Sequence, residues 1–224
     1  MNPLMVVTGG TKGIGRAIAD RFVTEGFDVV ICARSVEGAE GPGLLPFAAD
    51  LSDRAGINAL LEYVHSLGRP VEVLVNNTGV FQPGQIHNEA EGVFEQLINT
   101  NVASAYHLTR GLVGKMIDRR QGHIFMMCST ASITAYTNGG SYCISKFALL
   151  GMSRVLREEL KPHGVKVTAI LPGATLTASW EGTDLPEERF MKPQDVADSA
   201  WAAYALSKSA VVEEVLIRPQ LGDL

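Results

Sequence analysis

Seven short apolar runs alternate along the chain with longer segments whose apolar residues recur at helical spacing. Strands that are apolar at every position are typical of a parallel sheet covered on both faces, and parallel strands need crossover segments between them. The sequence therefore predicts a doubly wound α/β fold with about seven parallel strands and helices on both faces. The predicted strands are residues 4–7, 28–33, 44–49, 71–76, 123–129, 165–172 and 210–217, and the predicted helices are 13–25, 53–67, 89–118, 142–161 and 193–207.

The length and composition are sufficient for one substantial core. The chain has 224 residues, 46% of them hydrophobic, and no linker or repeat interrupts the alternation, so we expect a single domain over residues 1–224. The longest segment without clear periodicity covers residues 173–190. Because long loops at the carboxyl ends of parallel strands tend to hold or cover ligands, we expect a substrate lid at about residues 174–192.

The charge and the cysteines argue against several classes of protein. A formal net charge of −5 does not fit a nucleic-acid binder, which depends on clustered Lys and Arg. The N-terminus has too few apolar residues for a signal peptide or a membrane span, which predicts a cytoplasmic protein without a membrane partner. The three cysteines are widely spaced and the five histidines lack metal-ligand spacing, so we expect buried thiols and no metal site.

The first predicted strand runs directly into "TGGTKGIG", residues 8–15, and then into a helix. Glycines at such a turn let the backbone approach a pyrophosphate, whose charge then lies at the N-terminus of the helix. The spacing of Gly9, Gly13 and Gly15 differs from the usual dinucleotide fingerprint, so an ordinary tight turn is the alternative interpretation.

The end of the second predicted strand indicates which dinucleotide would bind. Chains that bind NAD usually place Asp or Glu about 20 residues beyond the glycines to hold the ribose 2′-hydroxyl, but this sequence has Ala33 and Arg34 there. Arg34 can donate paired hydrogen bonds to a 2′-phosphate, and Lys12 adds a second positive charge. This pattern predicts NADP(H) rather than NAD(H), unless Arg34 is a solvated residue paired with Glu37 or Glu40.

Further motifs follow in order: "NNTG" at residues 76–79, and a tyrosine four places before a lysine in "SYCISKFALLG", residues 141–151. With these motifs the sequence resembles the short-chain dehydrogenase/reductase family over nearly its whole length, and in particular its 3-oxoacyl-acyl-carrier-protein reductases. The resemblance implies a Rossmann-type sheet, an NADP(H) cofactor and a homodimer or homotetramer. It places the family's catalytic positions on Asn101, Ser129, Tyr142 and Lys146.

The resemblance also assigns the remaining site residues. Thr78 stands where the family usually has Ala, and Cys128 stands where a second Ser is common, so the substrate is less well indicated than the cofactor. The expected cofactor-binding residues are Gly9, Thr11, Lys12, Gly13, Ile14, Gly15, Arg34, Ser35, Asp50, Leu51, Asn77, Gly79, Tyr142, Lys146, Pro172, Gly173 and Thr177. The expected substrate-pocket residues, for whose large apolar members core packing is the alternative, are Phe81, Thr130, Ala131, Trp180 and Met191.

Tyr142 and Lys146 are four residues apart, which puts them on one face of a helix about one turn from each other. An ammonium stabilises a neighbouring phenolate if the pair is partly shielded from water, which would allow Tyr142 to exchange a proton near neutral pH. Ser129 would donate a hydrogen bond to the substrate oxygen. The sequence thus predicts an oxidoreductase that interconverts a carbonyl, such as a small ketone or a 3-oxoacyl thioester, and a secondary alcohol.

Two other functions remain open. An NADP-sensing or interaction protein on the same fold would keep the cofactor site but would have no need of Tyr142. An epimerase or dehydratase of the same family would use the same Tyr and Lys, although such relatives usually carry a long substrate domain after the position of Pro172, where this sequence has a short segment.

Overall fold

A computed structural model describes residues 1–180 and 182–224 and confirms the doubly wound α/β fold. The strands are β1 (Leu4–Thr8), β2 (Asp28–Ala33), β3 (Leu44–Ala48), β4 (Val71–Asn76), β5 (Gly122–Met127), β6 (Val165–Pro172) and β7 (Glu214–Ile217). The helices are α1 (Gly13–Thr24), α2 (Arg54–Ser66), α3 (Val93–Ile98), α4 (Ser104–Arg119), α5 (Gly140–Leu160) and α6 (Pro193–Tyr204).

The strands form one parallel sheet in the order β3-β2-β1-β4-β5-β6-β7. The order runs one way from β1 to β3 and the other way from β4 to β7, so the crossovers on the two sides of the β1–β4 pair go in opposite directions. Ligands of open α/β sheets bind at the carboxyl ends of the strands beside such a reversal. The topology therefore predicts a ligand-binding site at the carboxyl ends of β1 and β4.

Helices cover both faces of the sheet. One apolar cluster joins Val6 of β1 to Leu60 of α2, and the other joins Val7 of β1 to Phe22 of α1. Consecutive residues of β1 thus point to opposite faces that are both covered. This is why the strand is apolar at every position and reads as a continuous run in the sequence.

Two predicted elements differ from the structure. The helix expected over residues 89–118 is divided: α3 begins at Val93, residues Asn99–Ala103 form a π-helical turn, and α4 follows. The last strand is shorter than the predicted 210–217, because the carbonyl of Val212 accepts a hydrogen bond from the Thr168 hydroxyl (2.6 Å) instead of entering the ladder. β7 lies at one edge of the sheet.

The three cysteines are free and buried, which confirms the expected buried thiols. Burial raises the pKa of Cys32 to about 12 and the pKa of Cys128 to about 11. In neither range, 1–180 or 182–224, is any helix both long and apolar enough to cross a membrane.

His123, in β5, is a buried histidine held in its neutral form. Its ring stacks on Phe125 with centroids 4.1 Å apart, and its Nε2 lies 2.7 Å from Thr168 Oγ1. Because the Thr168 hydroxyl donates to Val212, its oxygen accepts from His123 Nε2–H, and Nδ1 has no hydrogen-bond partner among the residues that the structure describes. Burial, with a smaller contribution from the charge of Lys166, lowers the pKa of His123 to about 3.

This depressed pKa predicts a specific loss of stability in acid. Between the ordinary pKa of 6.5 and about pH 3, the unfolded chain binds a proton at His123 that the folded chain does not, so the free energy of unfolding falls as the pH drops. The contribution approaches about 1.4 kcal/mol per pH unit. We expect urea unfolding of His123→Gln at pH 7, 6 and 5 to lack this part of the decline.

The matched control is His87→Gln, because His87 is exposed. This variant should retain the pH dependence of the wild type. Equal acid sensitivity in the two variants would show that His123 is not the group responsible.

Candidate active site

A cavity of about 930 Å³ lies at the carboxyl ends of the strands, as the sheet order indicates. The cofactor residues expected from the sequence that line it are Gly9, Thr11, Lys12, Gly13, Ile14, Gly15, Arg34, Asp50, Leu51, Asn77, Gly79, Tyr142, Lys146, Pro172, Gly173 and Thr177. The expected catalytic and pocket residues that share this lining are Ser129, Phe81, Thr130, Ala131 and Trp180.

Three expected site residues lie elsewhere. Ser35 is exposed and outside the cavity lining. Asn101 is buried and directs its side chain to neighbouring backbone. Met191 packs in the apolar cluster of α1 and α6 with 6% exposure, so its alternative interpretation as a core residue is the one that its position supports.

The glycine turn brings its backbone close to the first turn of α1. Gly9 and Gly13 have φ angles of +64° and +56°, which favour glycine. A Cβ at Gly15 would lie 2.2 Å from the carbonyl oxygen of Gly9, so a side chain there would push the turn away from the helix. The free N–H groups of the α1 N-terminus, with no acidic residue in the first turn, face the cavity as an anion-binding position.

A hydrogen-bond network joins the glycine turn to the "NNTG" turn that follows β4. The buried Thr8 Oγ1 accepts hydrogen bonds from the backbone N–H groups of Asn77 and Thr78, both at 2.9 Å. The Asn77 side chain donates to the carbonyl oxygens of Thr8 and Gly9, at 2.9 and 3.1 Å. The two turns therefore form one wall of the cavity.

Two cations line the cavity, Arg34 just after β2 and Lys12 in the glycine turn. Arg34 and Lys12 are exposed, and within the described ranges neither forms an ion pair. The pairing of Arg34 with Glu37 or Glu40 that the sequence left open is thus not observed. Asp50 accepts a hydrogen bond from the Ser52 N–H at 2.9 Å, and this bond, with the charge of the nearby Arg34, lowers the pKa of the Asp50 carboxyl.

The other half of the cavity contains the tyrosine, the lysine and the serine. Lys146 is 6% exposed, its Nζ donates to the carbonyl of Met127 at 2.8 Å, and the same atom lies 5.8 Å from the centre of the Tyr142 ring. Ser129 follows the end of β5, where its Oγ accepts a hydrogen bond from the N–H of Ala131 at 3.1 Å. α5 carries Tyr142 and Lys146 on one face, as the spacing predicted.

Asn101 lies in the π-helical turn and links three segments. Its Oδ1 accepts from the N–H of Val80 at 2.8 Å, and its Nδ2 donates to the carbonyl of Val80 at 3.0 Å and to Ser145 Oγ at 2.9 Å. A Cβ at Gly79 would be 3.5 Å from Asn101 Oδ1 and 3.6 Å from Lys146 Nζ. The amide is therefore fully engaged, and it fixes the turn after β4 against α5 beside the lysine.

The predicted lid has a fixed base. The N–H of Met191 donates to the carbonyl of Ala174 at 3.0 Å, and the N–H of Leu176 donates to the carbonyl of Met191 at 2.9 Å. Within the loop, Trp180 packs edge-on against Phe190 with ring centroids 5.0 Å apart and reaches the cavity. Residue 181 of this predicted lid lies outside the described residues.

A protein-family model described as short chain dehydrogenase matches residues 3–187 of the chain. The chain belongs to this family. The match confirms the family that the glycine turn, the "NNTG" turn and the Tyr–Lys pair indicated.

Known short-chain dehydrogenases and reductases resemble this chain along most of its length. A sepiapterin reductase from Chlorobaculum tepidum is 32% identical over 241 residues, which cover 100% of this chain and 99% of the relative. A 3-oxoacyl-acyl-carrier-protein reductase from Haemophilus influenzae is 30% identical over 183 residues, 78% of this chain and 74% of the relative. A solved structure of a metagenomic short-chain oxidoreductase in complex with NADP has a TM-score of 0.84 and 31% identity, with 97% of both chains covered. The relatives support an oxidoreductase and differ in the substrates that their names state.

Several cavity residues gave no recognisable signal in the sequence. Tyr136 and Asp223 both line the site of this short-chain dehydrogenase. Burial raises the pKa of Tyr136 to about 12, so its hydroxyl stays protonated and can donate a hydrogen bond into the cavity. Asp223, in the segment after β7, lies close to Gly173: a Cβ on Gly173 would be 3.2 Å from Asp223 Oδ1. A tyrosine in a loop and an acid beyond the last strand match no short motif.

The close approach of Gly15 to the glycine turn can be tested by substitution. Gly15→Ala would force the turn outward, and losing even one backbone hydrogen bond to a phosphate should weaken the affinity for NADPH by about tenfold or more. The affinity is measured by fluorescence titration of the folded variant, with circular dichroism to verify the fold.

Gly114→Ala in α4 is the control, because a Cβ at Gly114 meets no atom within 4 Å. This exposed helical substitution should leave NADPH affinity unchanged and stabilise the chain slightly. An unaltered affinity in Gly15→Ala would contradict the structure of the turn.

Proposed function

We propose that this short-chain dehydrogenase is an NADP(H)-dependent oxidoreductase that interconverts a carbonyl and a secondary alcohol. The observation that carries the proposal is the meeting of Tyr142, Ser129 and the buried Lys146 in one cavity with the glycine turn. The cavity therefore contains, at one end, groups suited to a dinucleotide and, at the other, groups suited to proton transfer.

The residues present fit NADP(H). The glycine turn and the α1 N-terminus would hold the pyrophosphate, Asp50 and Leu51 line the end expected to take the adenine, and Arg34 with Lys12 would bind the 2′-phosphate. Both cations are exposed and, in the part of the chain that the structure describes, have no carboxylate partner that would have to be displaced. The similar metagenomic oxidoreductase solved with NADP supports the choice. When bound, the nicotinamide supplies or accepts the hydride.

In this proposal Tyr142 transfers the proton to or from the substrate oxygen, and the charge of Lys146 stabilises the phenolate that is formed when the proton leaves. At separations of about 4–6 Å, an ammonium attracts a phenolate by about 3–4 kcal/mol at an effective dielectric constant of 20, but by only about 1 kcal/mol in water. Lys146 is 6% exposed and hydrogen-bonded to Met127, so its charge is shielded from water and its position is fixed. The attraction of about 3–4 kcal/mol is therefore the relevant value for this site.

Ser129 stabilises the substrate oxygen. Its Oγ already accepts the N–H of Ala131, and among the described contacts its own O–H has no acceptor. The hydroxyl hydrogen is therefore free to point at a carbonyl or alkoxide oxygen in the cavity. We assign Asn101 a role through its contacts with Val80 and Ser145, which hold the turn after β4 and α5 in place around Lys146.

The walls of the substrate end favour an apolar body. Phe81 stands edge-on to Tyr142 with centroids 4.9 Å apart, and Trp180, Thr130 and Ala131 complete the surface. We propose a small ketone or a 3-oxoacyl thioester as the substrate; the apolar walls support both, and the similar reductase from Haemophilus influenzae supports the thioester. The loop over residues 174–192 would act as the lid.

Two assays separate the alternatives. NADPH consumption measured against ketones, aldehydes, quinones and 3-oxoacyl thioesters should show turnover with at least one class, whereas binding of NADPH without turnover on every class would favour the sensor. Conversion of a sugar nucleotide to product without net consumption of the cofactor would favour the epimerase or dehydratase.

Self-association and a cytoplasmic location stay predictions from the sequence. The apolar side chains of Tyr106 in α4 and of Ile144 and Phe147 in α5 are 48%, 39% and 46% exposed. Such a surface on these two helices supports the proposed homodimer or homotetramer.

Removal of one hydroxyl tests the proton donor. Tyr142→Phe keeps the ring that packs on Phe81 but cannot transfer a proton, so we expect kcat to fall by about 10²–10⁴-fold. The affinity for NADPH should remain within about twofold of wild type, because ring and backbone stay in place. Steady-state kinetics and NADPH titration measure the two effects.

The control is Tyr106→Phe, which also removes one tyrosine hydroxyl, but from the exposed face of α4. It should behave as wild type. Activity near the wild-type level in Tyr142→Phe would contradict the assignment of Tyr142 as the proton donor.

Arg34 determines the cofactor in this proposal. Arg34→Ala removes charge-assisted hydrogen bonds to a 2′-phosphate. Loss of one such bond, worth about 1.5–3 kcal/mol, should lower kcat/KM with NADPH by about tenfold to a hundredfold, and loss of a pair should lower it further. The value with NADH should change little, since NADH has no phosphate at that position. Arg110→Ala, at an exposed position of α4, should alter neither value. Equal losses with both cofactors in Arg34→Ala would show that this arginine does not discriminate between them.

A further inference from the structure

Hydrogen bonds join residues 84–85 to residues 138–139, which directly precede the first turn of α5 and Tyr142. The N–H of Gly84 donates to the carbonyl of Asn138 at 3.0 Å, Gly84 and Gly139 form an isolated parallel bridge, and Gln85 Nε2 donates to Asn138 Oδ1 at 2.9 Å. We call this contact between residues 84–89 and 138–141 the clamp. It connects the loop that carries Phe81 to the first turn of α5.

A single carboxylate closes the clamp. Glu89 Oε1 accepts from the backbone N–H of Ser141 at 2.8 Å, and Oε2 accepts from the Ser141 hydroxyl. Ser141 is 2% exposed and lies in the first turn of α5, whose preceding residue Gly139 gives no side-chain cap. Glu89, 52 residues earlier in the chain, thus satisfies N-terminal groups of this helix and places a negative charge where the helix favours one.

Two glycines make room for this carboxylate. A Cβ at Gly140, whose φ is +25°, would lie 2.0 Å from Glu89 Oε1, and a Cβ at Gly84 would lie 2.6 Å from Glu89 Cγ. A side chain at either position would expel the carboxylate from the N-terminus of α5. The position of the Glu89 carboxylate therefore requires glycine on both sides of the clamp, at residues 84 and 140.

The clamp matters because little else fixes the end of the Tyr142 side chain. Its hydroxyl has no hydrogen-bond partner among the contacts that the structure describes, so its position depends on the first turn of α5 and on the ring of Phe81. Both of these supports are attached to the clamp, one on each side. A displacement of about 1 Å at a reacting group can lower the rate by about a hundredfold.

We propose that Glu89 is a positioning residue for Tyr142, acting through Ser141 and the first turn of α5. The inference rests on the proposed function of Tyr142 as the proton donor. Glu89 is not part of the cavity lining, so it contacts neither cofactor nor substrate, and its effect falls on the chemical step rather than on binding.

The experiment compares Glu89→Gln and Glu89→Ala with Glu91→Gln. Glu91 is exposed two residues further on, which makes it a matched control for loss of one charge. We expect kcat to fall about tenfold in Glu89→Gln, which keeps one acceptor for Ser141, and further in Glu89→Ala. The affinity for NADPH should stay within about twofold of wild type in both, and Glu91→Gln should match the wild type.

Two outcomes would overturn the proposal. One is wild-type kcat in both Glu89 variants. The other is a parallel fall of kcat and NADPH affinity, because that would show a general loosening of the chain rather than misplacement of Tyr142.

Hydrogen–deuterium exchange separates this inference from the proposed function. Amides of residues 138–146 should exchange about tenfold faster in Glu89→Gln than in Glu91→Gln, whether or not any carbonyl is reduced. Absence of turnover in the wild type, combined with faster exchange, would refute the proposed function and leave the clamp standing. Unchanged exchange would refute the clamp itself.

Discussion

The site depends on one buried hydroxyl at the end of the central strand pair. Thr8 Oγ1 accepts the N–H groups of Asn77 and Thr78, two half-buried residues that follow β4. A hydrogen bond contributes about 0.5–1.5 kcal/mol net, so the two together favour one relative position of the ends of β1 and β4. The glycine turn, the "NNTG" turn and the α1 N-terminus take their places from that position. A cavity for a dinucleotide is thus a consequence of how two parallel strands end.

At the other end of the cavity, the arrangement of charge is unusual for a protein interior. Lys146 is buried, and in the described parts of the chain it has a carbonyl, rather than a carboxylate, as its partner. A cation buried without a counter-ion is costly, and such groups are retained mainly where they have a functional role. A phenolate formed beside it would lower that cost. The position of this buried ammonium is set by the fold, through the carbonyl of Met127, before any substrate arrives.

The sequence predicted those features that repeat or have a short motif. Strands buried on both faces are apolar throughout, and the glycine turn and the Tyr–Lys pair have local spacings. The π-helical turn at Asn99–Ala103 was missed because apolar spacing continues across it from Val93 to Leu112. Met191 was placed in the pocket because its loop is near the cavity, although its side chain turns into the core. Glu89 had no local signal, since its partner is 52 residues away and depends on the fold.

The fixed base of the loop between β6 and α6 allows the length and sequence of that loop to vary. Since Ala174 and Met191 are hydrogen-bonded to each other, residues between them begin and end at a set distance whatever their number or composition. Doubling the length of a flexible loop costs only about 0.6 kcal/mol in closure entropy. This stretch can therefore take up insertions and replacements while the sheet and the groups that line the cavity keep their positions.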